Sequence, residues 1–262
     1  MSAYPNHTKR LLRAGRLALG LVLRQARTAD TPAIAKACGY DWMSIDMEHG
    51  TLGLDTAAQM AVAALALGIT ALVRVPGKEH YHASRLLDAG AQGVIVPHVE
   101  TADEARQIIS QCKFPPLGER SFASVQPQLG FLRLPGGGEA QAIDDEILIV
   151  AMLESSKAID NAEAIAAVPG IDVLLVGTND LCAEMGIPDQ VTHPRIQDAY
   201  RRVIAACRLH GANAGMAGLH DPDLTRTLIA EGVRFVTGGT DLGFLMQGAR
   251  QRASFLRGLQ PV

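Results

Sequence analysis

Short runs rich in Val, Ile and Leu recur along the chain, alternating with stretches whose apolar residues fall at helical spacing. The runs predict eight strands, at Leu17–Leu23, Trp42–Asp46, Thr70–Val75, Gly93–Pro97, Ile147–Leu153, Asp172–Val176, Ala212–Met216 and Arg234–Thr237. The intervening stretches predict helices over Asp55–Leu67, His82–Ala89, Ala102–Gln111, Asn161–Ala167, Pro194–His210, Pro222–Glu231 and Leu242–Leu259. Two carry start signals. Thr101 has the capping-box partner Glu104 three residues on, and Asp221 precedes a proline at the first helical position. Nearly continuous apolar strands with helices between them imply parallel pairing, covered on both faces. Eight such units in 262 residues match an α/β fold of the (β/α)8 TIM-barrel type, with residues 1–262 forming one domain. An open doubly wound sheet is the competing solution, but no GxGxxG follows the first run. The rhythm fails only across residues 113–146, where Gly and Pro crowd a long loop. A loop of that length in a compact barrel is expected to serve as a lid or a subunit contact.

Composition narrows the partners. With 48% hydrophobic and 19% charged residues and a net charge of −3, the chain can bury a core and is not a disordered segment. No apolar run reaches the ~18 residues of a membrane span, and no leader pattern opens the chain. A cytoplasmic protein without membrane contact is therefore expected. Near-neutral charge and 4% aromatic residues leave neither a basic footprint nor a stacking platform for nucleic acid. Cys38, Cys112, Cys182 and Cys207 are scattered without metal-ligand spacing and read as reduced thiols.

In a TIM barrel the chemistry sits where strands end. Asp46, Glu48 and His49 follow the second run, Arg74 closes the third, and His98 follows the fourth. Glu154 and Asp180 follow the fifth and sixth. An arginine closing an apolar strand needs an anionic partner, either a protein or a substrate carboxylate. Glu154 and Asp180, on neighbouring strand ends, could converge as oxygen ligands for a hard divalent cation, or could simply cap the helices that follow. His49 is a candidate general base beside Asp46 and Arg74, although a single histidine near an acid is more often a satisfied structural group. Asp88, late in a helix, reads as a surface acid. None of the five lysines falls in an apolar run, so no desolvated Schiff-base lysine is expected. His80 and His82 have metal-like spacing but no third ligand, and Gly238 and Gly239 stand where barrels bind phosphate.

Six blocks add a further reading. YDWMSIDMEHG, ALVRVP, RLLDAGAQGVIVPHVETADEARQ, PPLGERS, the MLES strand end and AAVPGIDVLLVGTNDLCAEMGIP resemble, in that order, the signature blocks of the HpcH/HpaI aldolases. The likeness runs from about Leu17 to Phe244. It implies a TIM barrel of the phosphoenolpyruvate/pyruvate type and a metal-dependent (class II) pyruvate aldolase that takes a 2-oxo acid and an aldehyde. It also implies a homohexamer, a trimer of dimers with the last helix exchanged between partners. By position, Glu154 and Asp180 would hold a divalent metal cation (Mg2+, Mn2+ or Co2+), and Arg74 would bind the pyruvyl oxygens. His49, oriented by Asp88, would be the acid/base. The backbone of Gly177, Thr178 and Asn179 would hold the substrate carboxylate, with Asp46 supporting the site.

Three positions depart from the pattern. Met152 stands where many members carry Gln, Thr51 where Pro is frequent, and His98 where an apolar residue is common. They leave the reaction class intact and the substrate open. The rival expectations are a lyase of the citrate-lyase β or malyl-CoA type, a phosphosugar enzyme using Gly238 and Gly239, and a catalytically silent binding barrel.

Overall fold

The computed structural model describes residues 2–78 and 80–259. Its eight strands are β1 (Ala18–Leu23), β2 (Trp42–Asp46), β3 (Thr70–Arg74), β4 (Gly93–Val96), β5 (Leu148–Leu153), β6 (Val173–Gly177), β7 (Asn213–Ala217) and β8 (Val233–Thr240). They pair in parallel, each with the next, and β8 closes onto β1. The fold is a (β/α)8 barrel. Helices α1 (His7–Arg13), α2 (Thr31–Ala37), α3 (Leu54–Leu67), α4 (His80–Asp88), α5 (Ala102–Cys112) and α6 (Glu139–Glu146) belong to the first half. The second half carries α7 (Ser156–Asp160), α8 (Ala162–Ala166), α9 (Thr178–Glu184), α10 (Pro194–His210), α11 (Pro222–Glu231) and α12 (Asp241–Arg257).

Strand pleating divides the apolar residues between two compartments. One set faces out against the helices. The other fills the barrel, where Trp42 stacks on Phe235 with ring centroids 4.0 Å apart, in one cluster with Leu72, Leu148 and Val173. Gly20 pairs with Trp42 across the β1–β2 ladder. A Cβ there would lie 2.1 Å from the indole, so only glycine admits the ring. The expected capping box is present at Thr101 and Glu104, and Asp221 caps α11 through the Leu224 N–H.

Three expectations need correction. The last strand runs beyond Thr237 to Thr240, because β1 shifts register and pairs Val22 with Thr240, which carries the ladder through both glycines. The 113–146 segment is less irregular than its composition: it contains α6, whose Ile143 is buried, and a 3-10 turn at Pro127–Leu129. Two buried lysines exist, although neither lies in a strand. Lys9 Nζ donates to Ile147 O at 2.7 Å, and Lys113 Nζ donates to Asp144 O at 2.6 Å and Ile147 O at 3.1 Å. Burial, with Lys9 nearby, pushes the Lys113 ammonium down to about 8. Both amines donate to carbonyls just before β5, at the N-terminal end of the barrel and away from the strand ends that face the cavity described next.

Candidate active site

A cavity of about 310 Å3 opens at the C-terminal ends of the strands. Its wall includes Arg24, Asp46, His49, Arg74, Met152, Gly177, Thr178, Asn179, Asp180 and His220. Asp46 is fully buried at the end of β2. Arg74, at the end of β3 and paired with Asp46 in the ladder, grips it by a two-pronged fork: Nε to Oδ1 at 3.0 Å and Nη2 to Oδ2 at 2.6 Å. Oδ1 also accepts the N–H groups of Glu48 (3.1 Å) and His49 (3.2 Å), which shapes the turn that presents His49. Burial alone would raise the Asp46 carboxyl, but the hydrogen bonds and charge of Arg74 and these N–H groups hold it below the ordinary carboxylate range. The Arg74 guanidinium, despite burial, is held more firmly charged by Asp46, Glu48 and Glu154.

A second chain of contacts crosses the mouth. Arg74 Nη1 lies 3.0 Å from Glu48 Oε2, and Glu48 Oε1 lies 3.3 Å from His98 Nε2. His98 reaches Glu154 Oε2 twice, through its backbone N–H at 2.9 Å and Nδ1 at 3.1 Å. The residue adopts φ 55°, a left-handed conformation that turns the chain after β4. Glu154, following β5, is buried, and its carboxyl is raised chiefly by desolvation, with the charges of Asp180 and Glu48 adding to the lift against His98. Gly177 makes this approach possible. A Cβ there would lie 2.6 Å from Glu154 Cγ and 2.8 Å from Met152 Cε. No side chain caps α9, which starts at Thr178, and Thr178 Oγ1 is tied to Tyr200 Oη and Ala217 O at 2.7 Å each.

The charge of Asp180, which lines the cavity, thus acts on Glu154, and no protein cation is bonded to Asp180 among the described residues. No group of three or more His, Cys, Asp or Glu side chains suited to a metal occurs among the described residues. Glu154 and Asp180 could supply two oxygen ligands to a hard divalent cation, the rest of its shell being left to substrate and water. Helix α4 begins at His80, whose side chain lies outside the described residues, so the His80–His82 spacing gains no support.

Asp88 does not join the cavity. It ends α4, and its carboxylate accepts from Arg120 Nη2 at 2.6 Å and Gln126 Nε2 at 3.5 Å, while His49 has Glu48 as its acidic neighbour at 3.8 Å. Within one chain, then, the expected Asp88–His49 pairing is absent. Four contributors were not anticipated: Arg24, Glu48 as a bridge, His220 and Asp241. Arg24 carried a usable signal, since it closes an apolar run as Arg74 does. Asp241 accepts the N–H groups of Arg24, Gln25 and Ala26 at 2.9, 2.9 and 2.7 Å and that of Leu242 at 2.7 Å. A carboxylate therefore occupies the N-terminus of α12, just beyond Gly238 and Gly239, where the phosphosugar reading needs room for phosphate.

The HpcH/HpaI aldolase/citrate lyase profile matches residues 22–248, spanning every strand from β2 onward and the end of β1. The chain belongs to the HpcH/HpaI aldolase/citrate lyase family. It is 38% identical to the 4-hydroxy-4-methyl-2-oxoglutarate aldolase tasA of Hapsidospora irregularis, over 99% of this chain and 98% of that protein. It is 32% identical to a 2-dehydro-3,6-dideoxy-6-sulfogluconate aldolase of Pseudomonas putida, over 92% and 93% of the two chains. Among solved structures, an HpcH/HpaI aldolase from Desulfitobacterium hafniense DCB-2 superposes with a TM-score of 0.91 at 28% identity, covering 96% of this chain and 97% of that one. These HpcH/HpaI relatives span the full barrel, so the likeness includes every strand end that lines the cavity.

Proposed function

We propose that this family member is a carbon–carbon lyase that cleaves 4-hydroxy-2-oxo acids into pyruvate, or a close 2-oxo acid, and an aldehyde, and catalyses the reverse condensation. The observation that carries this reading is a cavity lined by Arg74, His49 and Asp180, with Glu154 close enough that its charge acts on Arg74 and that of Asp180 acts on it. Glu154 and Asp180 would hold a divalent cation, Mg2+, Mn2+ or Co2+. When bound, such a cation supplies Lewis acidity toward the carboxylate and 2-oxo oxygens of the substrate.

The chain's own residues account for the rest. Gly177, Thr178 and Asn179, at the start of α9 where no side chain caps the helix, line the cavity, and their N–H groups are suited to the substrate carboxylate. His49 takes the proton of the C4 hydroxyl, directly or through water, and the C3–C4 bond breaks. The electron pair left on C3 delocalises toward the 2-oxo oxygen, where the Arg74 guanidinium meets the negative charge. Asp46 keeps Arg74 aimed and fixes the turn that carries His49. Within a single subunit Asp88 lacks a path to His49, so its part in orienting the imidazole requires a second copy of the chain. We further read residues 1–262 as one barrel domain and the assembly as a homohexamer. Helix α12 supports an assembly, since none of its residues is buried and Phe244, Leu245, Met246, Phe255 and Leu256 are exposed.

The test is pyruvate release from 4-hydroxy-2-oxo acids, followed with lactate dehydrogenase. EDTA should abolish it and Mg2+ or Mn2+ restore it. Folded protein that releases no pyruvate from any such acid with any of the three metals would refute the reading, and cleavage confined to acyl-CoA thioesters would establish the rival lyase.

A further inference from the structure

We propose that Arg24 is a specificity-determining residue that binds an anionic group, in its simplest form a carboxylate, carried on C4 of the substrate. The inference rests on the enolate reading above and names the side of the substrate that leaves.

Arg24 follows β1 and lines the cavity. Its backbone is pinned by Asp241, and its Nη2 donates to the carbonyl of His49 at 3.3 Å. Its Nε lies 3.5 Å from Asp46 Oδ2, against 2.6 Å for Arg74 Nη2. The fork from Arg74 already matches the single charge of Asp46, so Arg24 is a second cation at that carboxylate. No hydrogen bond engages its Nη1 among the described residues, and its side chain is 35% exposed. A guanidinium held at one edge with its other edge free is suited to a paired hydrogen bond to a carboxylate.

Its placement selects which substrate group it meets. The pyruvyl half belongs beside Arg74, Glu154, Asp180 and the start of α9, at the ends of β3, β5 and β6. Arg24 lies just after β1, on the His49 side, against the backbone of the residue that takes the C4 hydroxyl proton. A group attached to C4 therefore comes to Arg24. When that group is a carboxylate, the C4 hydroxyl proton passes to His49, the C3–C4 bond breaks, and its electron pair stays on C3 as pyruvate enolate. C4 becomes the carbonyl carbon of a second 2-oxo acid, which is glyoxylate when C4 carries hydrogen.

The experiment compares 4-hydroxy-2-oxoglutarate with 4-hydroxy-2-oxopentanoate, in which a methyl replaces the C4 carboxylate, on Mg2+-loaded wild type, Arg24→Ala and Arg24→Gln. The readout is the ratio of kcat/KM for the two substrates. Wild type should favour the dicarboxylate, and both variants should lose about tenfold or more of that ratio, since a site built for a polar group discriminates strongly against its absence. A ratio unchanged in both variants, even with both activities reduced, would overturn the proposal and leave Arg24 as a screen for Asp46. Exchange of pyruvate methyl protons in D2O separates the two levels. Wild type that exchanges but does not favour the dicarboxylate overturns the role of Arg24 alone, whereas wild type that fails to exchange overturns the enolate reading and the role of Arg24 with it.

Discussion

The Asp46–Arg74 pair links folding to function residue by residue. Asp46 is fully buried and Arg74 nearly so, so removing the arginine takes away both prongs of its fork and leaves Arg24 Nε, at 3.5 Å, as the remaining cation. Arg74→Ala should cost about 3–5 kcal/mol in urea unfolding as well as activity. Arg74→Ala combined with Asp46→Asn should regain stability without regaining activity, whereas recovery of both would make Arg74 purely structural. Because the Asp46 carboxyl is held below its ordinary 3.8 in the folded state, its stabilising contribution is complete above that value and is lost as pH falls through the lower folded one. An Asp46→Asn variant should therefore show a shallower loss of stability on acidification. At the other carboxylates, Glu154→Gln and Asp180→Asn should each weaken Mn2+ binding, measured by calorimetry, by at least the ~10–100-fold that outer-shell changes cost. Unchanged affinity in both would remove them as ligands. Arg74 was legible because an arginine ending an apolar strand demands a partner. The bridge through His98 was not, because a left-handed turn that folds one side chain between two acids leaves no periodic trace.

Among the elements, legibility followed periodicity. Seven of the eight strands begin and end within one residue of expectation, since buried parallel strands are written as uninterrupted apolar runs. β8 escaped because its glycines mimic a turn. Helices α1, α2, α6, α7 and α9 were missed because five to eight residues show little of a helical repeat, although the equally short α8 was anticipated. Two element-level tests follow from packing and burial. Gly20→Ala should cost at least the ~1–3 kcal/mol of an overpacked core, because the added Cβ collides with the ring of Trp42 that itself stacks on Phe235. Wild-type stability in that variant would contradict the interior packing. Lys113 titrates near 8 when folded and near 10.5 when unfolded, so the unfolded chain binds more protons between those values. Stability should rise with pH across that window through this group, and Lys113→Met should flatten the rise in denaturation midpoints.

For the whole molecule, α12 is the feature a lone barrel does not explain. Its 17 residues contain none that are buried, yet several are large and apolar. Exposure on this scale marks an interaction surface. Light scattering should report a mass near six chains, and removal of residues 242–262 should reduce it; a monomer formed by residues 1–262 would contradict the assembly. The family blocks implied this arrangement, while the hydrophobic pattern alone predicted only the helix. The barrel brings strand ends far apart in sequence, from Asp46 to Asp180, around one cavity, and the claim that this cavity generates pyruvate enolate is open to direct observation. Proton NMR of pyruvate in D2O, with the protein in EDTA and then with added Mg2+, follows the methyl signal without any assumption about the aldehyde. The signal should persist in EDTA and decay once Mg2+ is added. A methyl signal that survives with folded protein and saturating Mg2+, Mn2+ or Co2+ would contradict the account.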